Sequence, residues 1–304
     1  MEADRQLPIA DEIFLDHVGH FVRDVTAARQ SLVDAGFAPT PVSIQVSHDD
    51  GTSRPTGTGN VTAMFRRGYT EVLFKTADTP LGREFDAALA QHPGIHLAAF
   101  AVADAGAAHR RLETSGFRVR PLVEMQRPVE TETSTGTAAF TIARVQPGEM
   151  AEGRIQNLTH RTENTVWQPR WLDHPNGSIS LAGFVIAAAD VEEAAQRFSR
   201  FTNRPARPSW LGRTVPLDRG RVELVTPEAF TRLLPDIAIP RLPFMGAYGL
   251  IVRSLAHADA VLRRGGLQPR RSGAALAVRF PEPLGAGAWL FAEAAADFPW
   301  HRPR

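Results

Sequence analysis

The feature that most constrains the fold is a strand–turn–helix unit that occurs four times along the chain. Each copy has an apolar strand segment, a short polar turn and an amphipathic helix. The spacing of apolar residues therefore changes within each copy from every second residue to about every 3.6 residues. The copies begin near Leu15, Ile95, Leu181 and Ala247. Each helix is preceded by a residue whose side-chain oxygen can accept a free backbone N–H at the helix start, namely Asp24, Asp104, Asp190 and Ser254.

More strand-like sequence follows each strand–helix pair, so the repeated unit is βαβββ. A single unit cannot cover both faces of its own sheet, and the units are therefore expected to pair. We predict an α+β fold with an N-terminal domain over residues 1–163 and a C-terminal domain over residues 179–304. Residues 164–178, rich in Trp and Pro, are predicted to form an ordered linker. The polar segments 47–60 and 126–137 are predicted to be long loops.

Composition excludes several classes of protein. The 304 residues are 43% hydrophobic, with 34 basic and 33 acidic side chains, so no strong field points to nucleic acid or an anionic membrane. The absence of cysteine excludes disulfides, thiolate nucleophiles and Cys-based metal sites. The chain has no signal-peptide pattern, no apolar run of about 18 residues and no phosphate-binding loop. We expect a cytoplasmic protein that binds a small molecule, without nucleotide, flavin, nucleic acid or membrane.

The pattern resembles the vicinal-oxygen-chelate (VOC) superfamily, and within it the glyoxalase-like and bleomycin-resistance-like domains. The resemblance rests on the four units, on Leu15-Asp-His-Val with Asp24 seven residues after His17, and on Gly68-Tyr-Thr-Glu-Val-Leu. It implies that each pair of units forms a curved mixed sheet around a cleft. It also implies a divalent metal ion held by residues on the first and last strands of the paired units. Lyases, isomerases, ring-cleaving dioxygenases and drug-sequestering proteins share this fold.

The repeats allow the implied metal site to be tested at equivalent positions. The N-terminal half offers one histidine, one carboxylate, one amide and one leucine, at His17, Glu71, Gln156 and Leu97. The C-terminal half offers Gly183, Glu223, Ala247 and Leu290. A divalent ion requires about three N or O donors, which the C-terminal half lacks. We therefore expect that the protein is not a ring-cleaving dioxygenase of the two-domain type, in which the C-terminal half binds the metal. Glu223 is expected to be a structural or surface carboxylate.

The obvious fourth ligand is His96, but it lies one residue out of register, so strand alternation places it on the opposite face. A bulge near Ala98 and Ala99 would restore the register. Three interpretations stay open. In the first, His17, Glu71, His96 and Gln156 bind a metal ion. In the second, His17 and Glu71 bind the ligand directly in a metal-free cleft. In the third, His17 is a buried structural histidine.

Five further residues are candidates for ligand binding. They are two from the first sheet, one from the end of the second unit and two linker tryptophans, namely Asn60, Tyr69, His160, Trp167 and Trp171. The tryptophans either form an apolar wall for the ligand or pack at the domain interface.

Two functions follow. The first is a small-molecule lyase or isomerase acting in the N-terminal cleft, with His17 as a ligand and Glu71 as a ligand or proton-transfer base. The resemblance implies for it one divalent ion, without distinguishing Zn, Ni, Mn and Fe. The second is a metal-free protein of the bleomycin-resistance type that sequesters an apolar or aromatic compound, so whether the chain is an enzyme stays open. The C-terminal domain is then a degenerate copy that serves stability or the contacts of a homodimer.

Overall fold

The computed structural model describes residues 5–49, 52–132 and 134–301, and within them the chain forms an α+β fold of sixteen strands and seven helices. The strands are β1 (Ile13–Phe21), β2 (Ser43–Asp49), β3 (Thr52–Met64), β4 (Tyr69–Lys75), β5 (Gly94–Val102), β6 (Val123–Glu130), β7 (Thr135–Arg144), β8 (Arg154–His160), β9 (Ser178–Ala187), β10 (Arg207–Pro208), β11 (Gly212–Pro216), β12 (Arg221–Val225), β13 (Phe244–Val252), β14 (Arg270–Ser272), β15 (Ala275–Arg279) and β16 (Ala288–Ala292). The helices are α1 (Val25–Asp34), α2 (Pro80–Gln91), α3 (Ala105–Thr114), α4 (Glu163–Val166), α5 (Val191–Thr202), α6 (Pro227–Leu233) and α7 (Leu255–Arg264).

The four repeated helices start where the sequence predicts. Asp24 accepts hydrogen bonds from the backbone N–H groups of Thr26 and Ala27, and the other three capping residues act in the same way on their own helices. These bonds satisfy donors that have no partner inside the helix. Across the described part of the chain, the helices are too short or too polar for any of them to cross a membrane.

The strands form two eight-stranded mixed sheets. The first, in the order β1-β4-β3-β2-β6-β7-β8-β5, closes on itself and is called here the N-terminal barrel. The second, in the order β10-β11-β12-β9-β13-β16-β15-β14, stays open. In each sheet the first strands of the paired units are antiparallel neighbours, and each of them runs parallel to the last strand of its own unit. The predicted pairing of βαβββ units is therefore confirmed.

The two segments predicted to be loops are largely strands. Residues 47–60 belong mostly to the β2–β3 hairpin and residues 126–137 mostly to the β6–β7 hairpin. The two hairpins meet where Val46 pairs with Gln126 and Ser47 with Met125, and this contact closes the barrel. Threonine, which is frequent in both segments, is β-branched and suits a pleated strand.

Helix α2 lies outside the repeat pattern. It covers the barrel by stacking Phe85 on Phe21, at 3.9 Å between ring centroids.

The buried apolar side chains form three clusters. One lies between the two sheets and includes Val18, Phe100 and Tyr248. The second lines the interior of the N-terminal barrel. The third fills the concave face of the C-terminal sheet with α6 and with Phe298 and Trp300. Side chains of the C-terminal domain itself therefore pack on this face.

Residues 164–178 include most of α4 and a short 3₁₀ helix, and both ring nitrogens of their histidine bind backbone groups. The Nδ1 atom of His174 accepts from the N–H of Ala38 at 2.9 Å, and its Nε2–H donates to the carbonyl of Met64 at 2.7 Å. Burial lowers the pKa of His174 to about 4, which suits this neutral tautomer. The linker is thereby fixed to the first unit.

We predict that His20 makes stability depend on pH. It is buried between the domains, where Nδ1 lies 3.0 Å from the carbonyl of Leu284 and Nε2 lies 3.2 Å from the hydroxyl of Tyr248. Burial lowers its pKa to about 4, so between pH 6.5 and 5 the unfolded chain binds a proton that the folded chain does not. As the pH is lowered through that window, the free energy of unfolding should decrease, by up to about 1.4 kcal/mol per pH unit for this histidine.

Urea unfolding of wild type and His20→Phe at several pH values between 6.5 and 5 measures this slope. The slope should be shallower in the variant, whatever its absolute stability. Equal slopes would contradict the assignment.

Candidate active site

A β-bulge in β1 brings two consecutive polar side chains into the protein interior. Leu15 pairs with Phe100 and His17 pairs with Ala99, so Asp16 has no partner on β5. Such an extra residue re-aims the side chains around it. Leu15 and Val18 both face the layer between the sheets, while His17 faces the barrel interior.

Asp16 joins two histidines from different units. Its Oδ2 lies 2.7 Å from Nδ1 of His17, and its Oδ1 lies 2.9 Å from Nε2 of His160. Burial alone raises the pKa of the Asp16 carboxyl, but His160 and His17 outweigh burial and hold it well below the usual range. Asp16 is therefore an anion that accepts both hydrogen bonds, and it leaves Nε2 of His17 directed away from it.

Glu71 faces His17 from β4. Its Oε2 lies 3.5 Å from Nε2 of His17, and its Oε1 accepts hydrogen bonds from Asn60 Nδ2 and from Gln45 Nε2, the latter at 3.4 Å. Tyr69 stacks on the His17 ring at 4.3 Å between centroids. Burial, followed by Asp16 and Glu71, raises the pKa of Tyr69 far above its ordinary value, so this residue stays a neutral phenol. The result is an oriented imidazole next to an oriented carboxylate.

These groups line a cavity of about 40 Å³ inside the N-terminal barrel, together with Gln156 and the apolar side chains of Leu97 and Phe140. At roughly 10–15 Å³ for each water-sized group, the cavity has room for only a few atoms of a ligand. A larger molecule would reach it with one end only.

Buried arginines give the cavity a positive side. Arg127 and Arg144 are only 6% and 8% exposed, and both line the cavity. Arg144 donates from Nε to Gln156 Oε1 at 3.0 Å, whereas the guanidinium of Arg127 has no hydrogen bond or ion pair with another residue of the described ranges. Burial lowers the pKa of both, and for Arg144, which also lies near Arg154, to about 9. Both guanidinium groups are thus available to an anionic or carbonyl oxygen.

The structure brings together three of the four predicted metal ligands and not the fourth. His17, Glu71 and Gln156 line one cavity. The bulge in β5 lies at His96, because Gly19 pairs with Leu97 and His20 with Ile95, and it is Leu97 that faces the barrel interior. His96 lies outside the barrel, where its ring stacks on His92 at 4.3 Å and Nε2 contacts the carbonyl of His92 at 2.7 Å.

The chemistry of the remaining donors does not fit a divalent metal ion. Only His17 and Glu71 are strong ligands, since the oxygen of Gln156 already accepts from Arg144. The guanidinium groups of Arg127 and Arg144 would repel a dication in this buried cavity. Over the ranges that the structure describes, no group of three or more His, Asp and Glu side chains is arranged to hold a metal.

The other predicted ligand-binding residues fall into three positions. Asn60 and Tyr69 line the cavity, and His160 reaches it only through Asp16. Trp167 lies behind the site, with its ring centroid 4.6 Å from that of His160, and donates from Nε1 to the carbonyl of Phe65 at 3.2 Å. Trp171 lines a different pocket, so it is not part of the same wall.

Sequence reasoning missed Asp16, Gln45, Arg127 and Arg144. A charged residue directly before His17 in an otherwise apolar strand was the available signal for Asp16. For the arginines, no local signal separates them from solvent-exposed ones.

The C-terminal counterpart of Glu71 is Glu223, and it is fully buried and therefore not a surface residue. Its Oε1 lies 3.3 Å from Nη1 of Arg221, and its Oε2 has no hydrogen-bond partner among the described atoms. Burial raises the pKa of Glu223. Phe298 and Trp300 pack on the same concave face, and a Cβ atom on Gly249 would lie 2.3 Å from the Trp300 ring, so this glycine makes room for the tryptophan.

Comparison with known proteins agrees with this architecture. A family model described as a glyoxalase-like domain matches residues 15–202. The chain belongs to this glyoxalase-like family of the VOC superfamily. The match covers the barrel, the linker and the start of the C-terminal domain of this glyoxalase-like protein. A comparison with curated proteins finds no match.

Solved structures share the fold of the glyoxalase-like chain. A hypothetical protein from Staphylococcus aureus aligns with a TM-score of 0.61 and 10% identity over 92% of this chain and 98% of its own. A variant of 4-hydroxymandelate synthase from Streptomyces coelicolor aligns at 0.59 and 14% over 95% and 96%. The Mn(II)-bound glyoxalase from Novosphingobium aromaticivorans aligns at 0.53 and 12% over 97% and 86%. Identities this low show a common fold alone.

We predict that Asp16→Asn destabilises the protein by about 3 kcal/mol, because removing one member of a buried charged network leaves its partners uncompensated. Asp34→Asn is the matched control, since Asp34 is exposed and the change should cost less than about 0.5 kcal/mol. Urea unfolding at pH 7 measures both. Equal effects of the two substitutions would show that Asp16 does not hold the site together.

Proposed function

We propose that the N-terminal barrel of this glyoxalase-like protein binds the carbonyl end of a small molecule and moves a proton on it, in a lyase or isomerase reaction that uses side chains in place of a metal ion. The observation that carries the proposal is the series in which Asp16 hydrogen-bonds His17 and Nε2 of His17 lies 3.5 Å from Glu71, in a cavity also lined by Arg127, whose guanidinium has no partner among the described residues. A proton acceptor and a stabiliser of negative charge line one small, buried cavity. This is the arrangement that proton abstraction next to a carbonyl requires.

In the proposed reaction Glu71 Oε2 takes a proton from the carbon next to the carbonyl. The electron pair of the broken C–H bond forms a C=C bond and the π pair of the carbonyl moves to its oxygen, which Arg127 stabilises as the oxygen of an enolate. His17, held by Asp16, exchanges a proton with the substrate through Nε2. Return of a proton at another atom gives an isomerase. If Glu71 passes the abstracted proton to Nε2 of His17, 3.5 Å away, and His17 gives it to a leaving group on the neighbouring carbon as the enolate expels that group, the reaction is that of a lyase.

A second candidate is a binding protein without turnover. It is favoured by a separate pocket of about 310 Å³ beside the barrel, whose mixed lining includes the apolar side chains of Val129, Val166 and Trp171 and also reaches Arg127. Two further lining residues, Val42 and Ile44, are 49% and 41% exposed, which is unusual for large apolar side chains. An aromatic anion would suit this pocket. In that case Trp171 binds the ring and the protein sequesters the compound.

Metal content separates the proposal from the metal-dependent reaction that the family fold implies. We expect elemental analysis of protein purified without chelator, and again after incubation with Zn, Ni, Mn or Fe(II) ions and desalting, to give far less than one equivalent of metal. His17→Ala should give the same result. One equivalent of metal in wild type that is lost in His17→Ala would overturn the metal-free assignment.

Proton transfer is tested by hydrogen–deuterium exchange at the methyl groups of pyruvate and hydroxyacetone in D₂O, followed by proton NMR. Wild type should accelerate the exchange, and Glu71→Gln should slow it by about 100-fold or more, as expected for loss of a general base. Arg127→Gln should also slow it, because the enolate loses its partner. Arg118→Gln is the control, since its side chain is 76% exposed.

If neither compound exchanges faster with wild type than with buffer, the proton-transfer proposal fails for small carbonyl compounds. If Trp fluorescence nevertheless reports binding of an aromatic carboxylate such as benzoate, and Trp171→Ala abolishes it, the sequestering function is favoured.

A further inference from the structure

A second, larger cavity lies directly outside the barrel. It has a volume of about 340 Å³, in the range of small-molecule sites, and lies between α2, residues 145–153 and the start of β8. Arg144 and Arg154 line both this pocket and the cavity that contains His17 and Glu71. The two guanidinium groups therefore separate an inner chamber of a few atoms from an outer one that can hold a whole small molecule.

The outer pocket has more positive than negative charge. Arg120, Arg144 and Arg154 all line it, and one carboxylate serves two of them. Glu84 on α2 lies 2.6 Å from Arg120 through Oε1 and 3.2 Å from Arg154 through Oε2. Burial raises the pKa of Glu84, but the two arginines outweigh burial and lower it, so Glu84 is an anion.

The other carboxylate on the pocket does not neutralise the arginines. Glu152 is bound through both oxygens by Arg197, at 2.6 and 2.9 Å. Arg144 has only the amide oxygen of Gln156 as a hydrogen-bond acceptor within the described ranges. Arg144 and Arg154 are thus buried with less negative charge around them than they carry positive charge. Such burial destabilises the folded protein unless an anion binds between the two guanidinium groups.

Arg154 is held rigidly for such a role. Its guanidinium lies over the rings of Phe21 and Phe85, at 5.3 and 5.2 Å from their centroids, and its side chain is only 13% exposed. A planar guanidinium fixed in this way offers paired N–H donors to a carboxylate or phosphate. In the structure the carboxylate of Glu84 takes up part of the space where such an anion would bind Arg154.

We propose that the outer pocket binds the anionic group, a phosphate or a carboxylate, of a small molecule whose other end enters the barrel cavity. Arg144 and Arg154 bind the anion from the barrel side and Arg120 from the outside, and the anion replaces Glu84. The substrate is then a carbonyl compound with a remote anionic group. The link to catalysis rests on the proposed function, whereas the anion site stands on its own contacts.

The probes are inorganic phosphate and malonate, titrated into the full-length protein by isothermal calorimetry at low, fixed chloride concentration. Glu84→Gln should bind the anion about tenfold more tightly than wild type, because a competing carboxylate is removed, a gain of about 1.4 kcal/mol. Arg154→Gln and Arg120→Gln should each bind it at least about tenfold more weakly. If only phosphate binds, the anionic group of the natural ligand is a phosphate. If both phosphate and malonate bind, the pocket also accepts carboxylates.

Two controls locate the effect. Arg118→Gln removes an exposed arginine paired with Glu149, so it should leave binding unchanged. Arg127→Gln removes a guanidinium of the inner cavity that does not line the outer pocket, and it should leave phosphate binding unchanged while slowing proton exchange. Loss of phosphate binding in Arg127→Gln would place the anion in the barrel.

The outcomes separate the two proposals. Phosphate or malonate binding that responds to Glu84 and Arg120, without proton exchange in pyruvate or hydroxyacetone, supports the anion pocket and contradicts the proton-transfer reaction for small carbonyl compounds. Proton exchange without binding of either anion does the reverse. The anion pocket is also overturned if Glu84→Gln, the variant least disruptive to the fold, binds neither anion more tightly than wild type. Thermal unfolding of each variant confirms that a loss of binding is not a loss of fold.

Discussion

The site depends on one buried anion, the carboxylate of Asp16. It lies on β1 of the first unit and binds His160 on β8 of the second unit, so it joins the two units across the inside of the barrel. A fully buried carboxylate is stable only with charged or donating partners, and Asp16 has two imidazoles. The same contact fixes the ring of His17 and decides which nitrogen faces Glu71. Structure and chemistry at this point therefore depend on a single side chain.

The barrel keeps the topology of its superfamily but has a different set of charges around the cavity. Where the family resemblance implies a dication bound by several ligands, this chain has one carboxylate, one histidine and three guanidinium groups, at Arg127, Arg144 and Arg154. Positive charge supplied by arginine can stabilise an enolate oxygen, which is a task that a metal ion performs elsewhere. The fold is common, and the chemistry lies in the residues placed on it. In the C-terminal sheet Phe298 and Trp300 pack on the corresponding face, which favours a supporting role for that domain.

Closure of the barrel follows from contacts between distant segments. The β2–β3 and β6–β7 hairpins contain many polar residues, and by composition each looks like a loop. They become strands because Val46 pairs with Gln126, about 80 residues away, and because each hairpin then gains hydrogen bonds on both sides. Arg127 is carried on β6, so its place inside the barrel depends on this closure. A cation of this kind is indistinguishable from a surface arginine in the sequence, since only the paired strands decide which face it occupies.

The sequence by itself determined the four units, their helix caps and the pair His17 and Glu71, because these follow from local periodicity and from a comparison of the repeats. It did not determine which neighbours these residues have. The bulge at Asp16 brings a carboxylate that the sequence did not single out into the interior, and the bulge at His96 leaves a predicted ligand outside the barrel. Strand register and bulges are set by pairing between strands and not by the strand itself. The arginines around the cavity came from three segments that meet only in the folded chain. Tertiary structure therefore decided the charge of the site, and with it the kind of molecule that the site can bind.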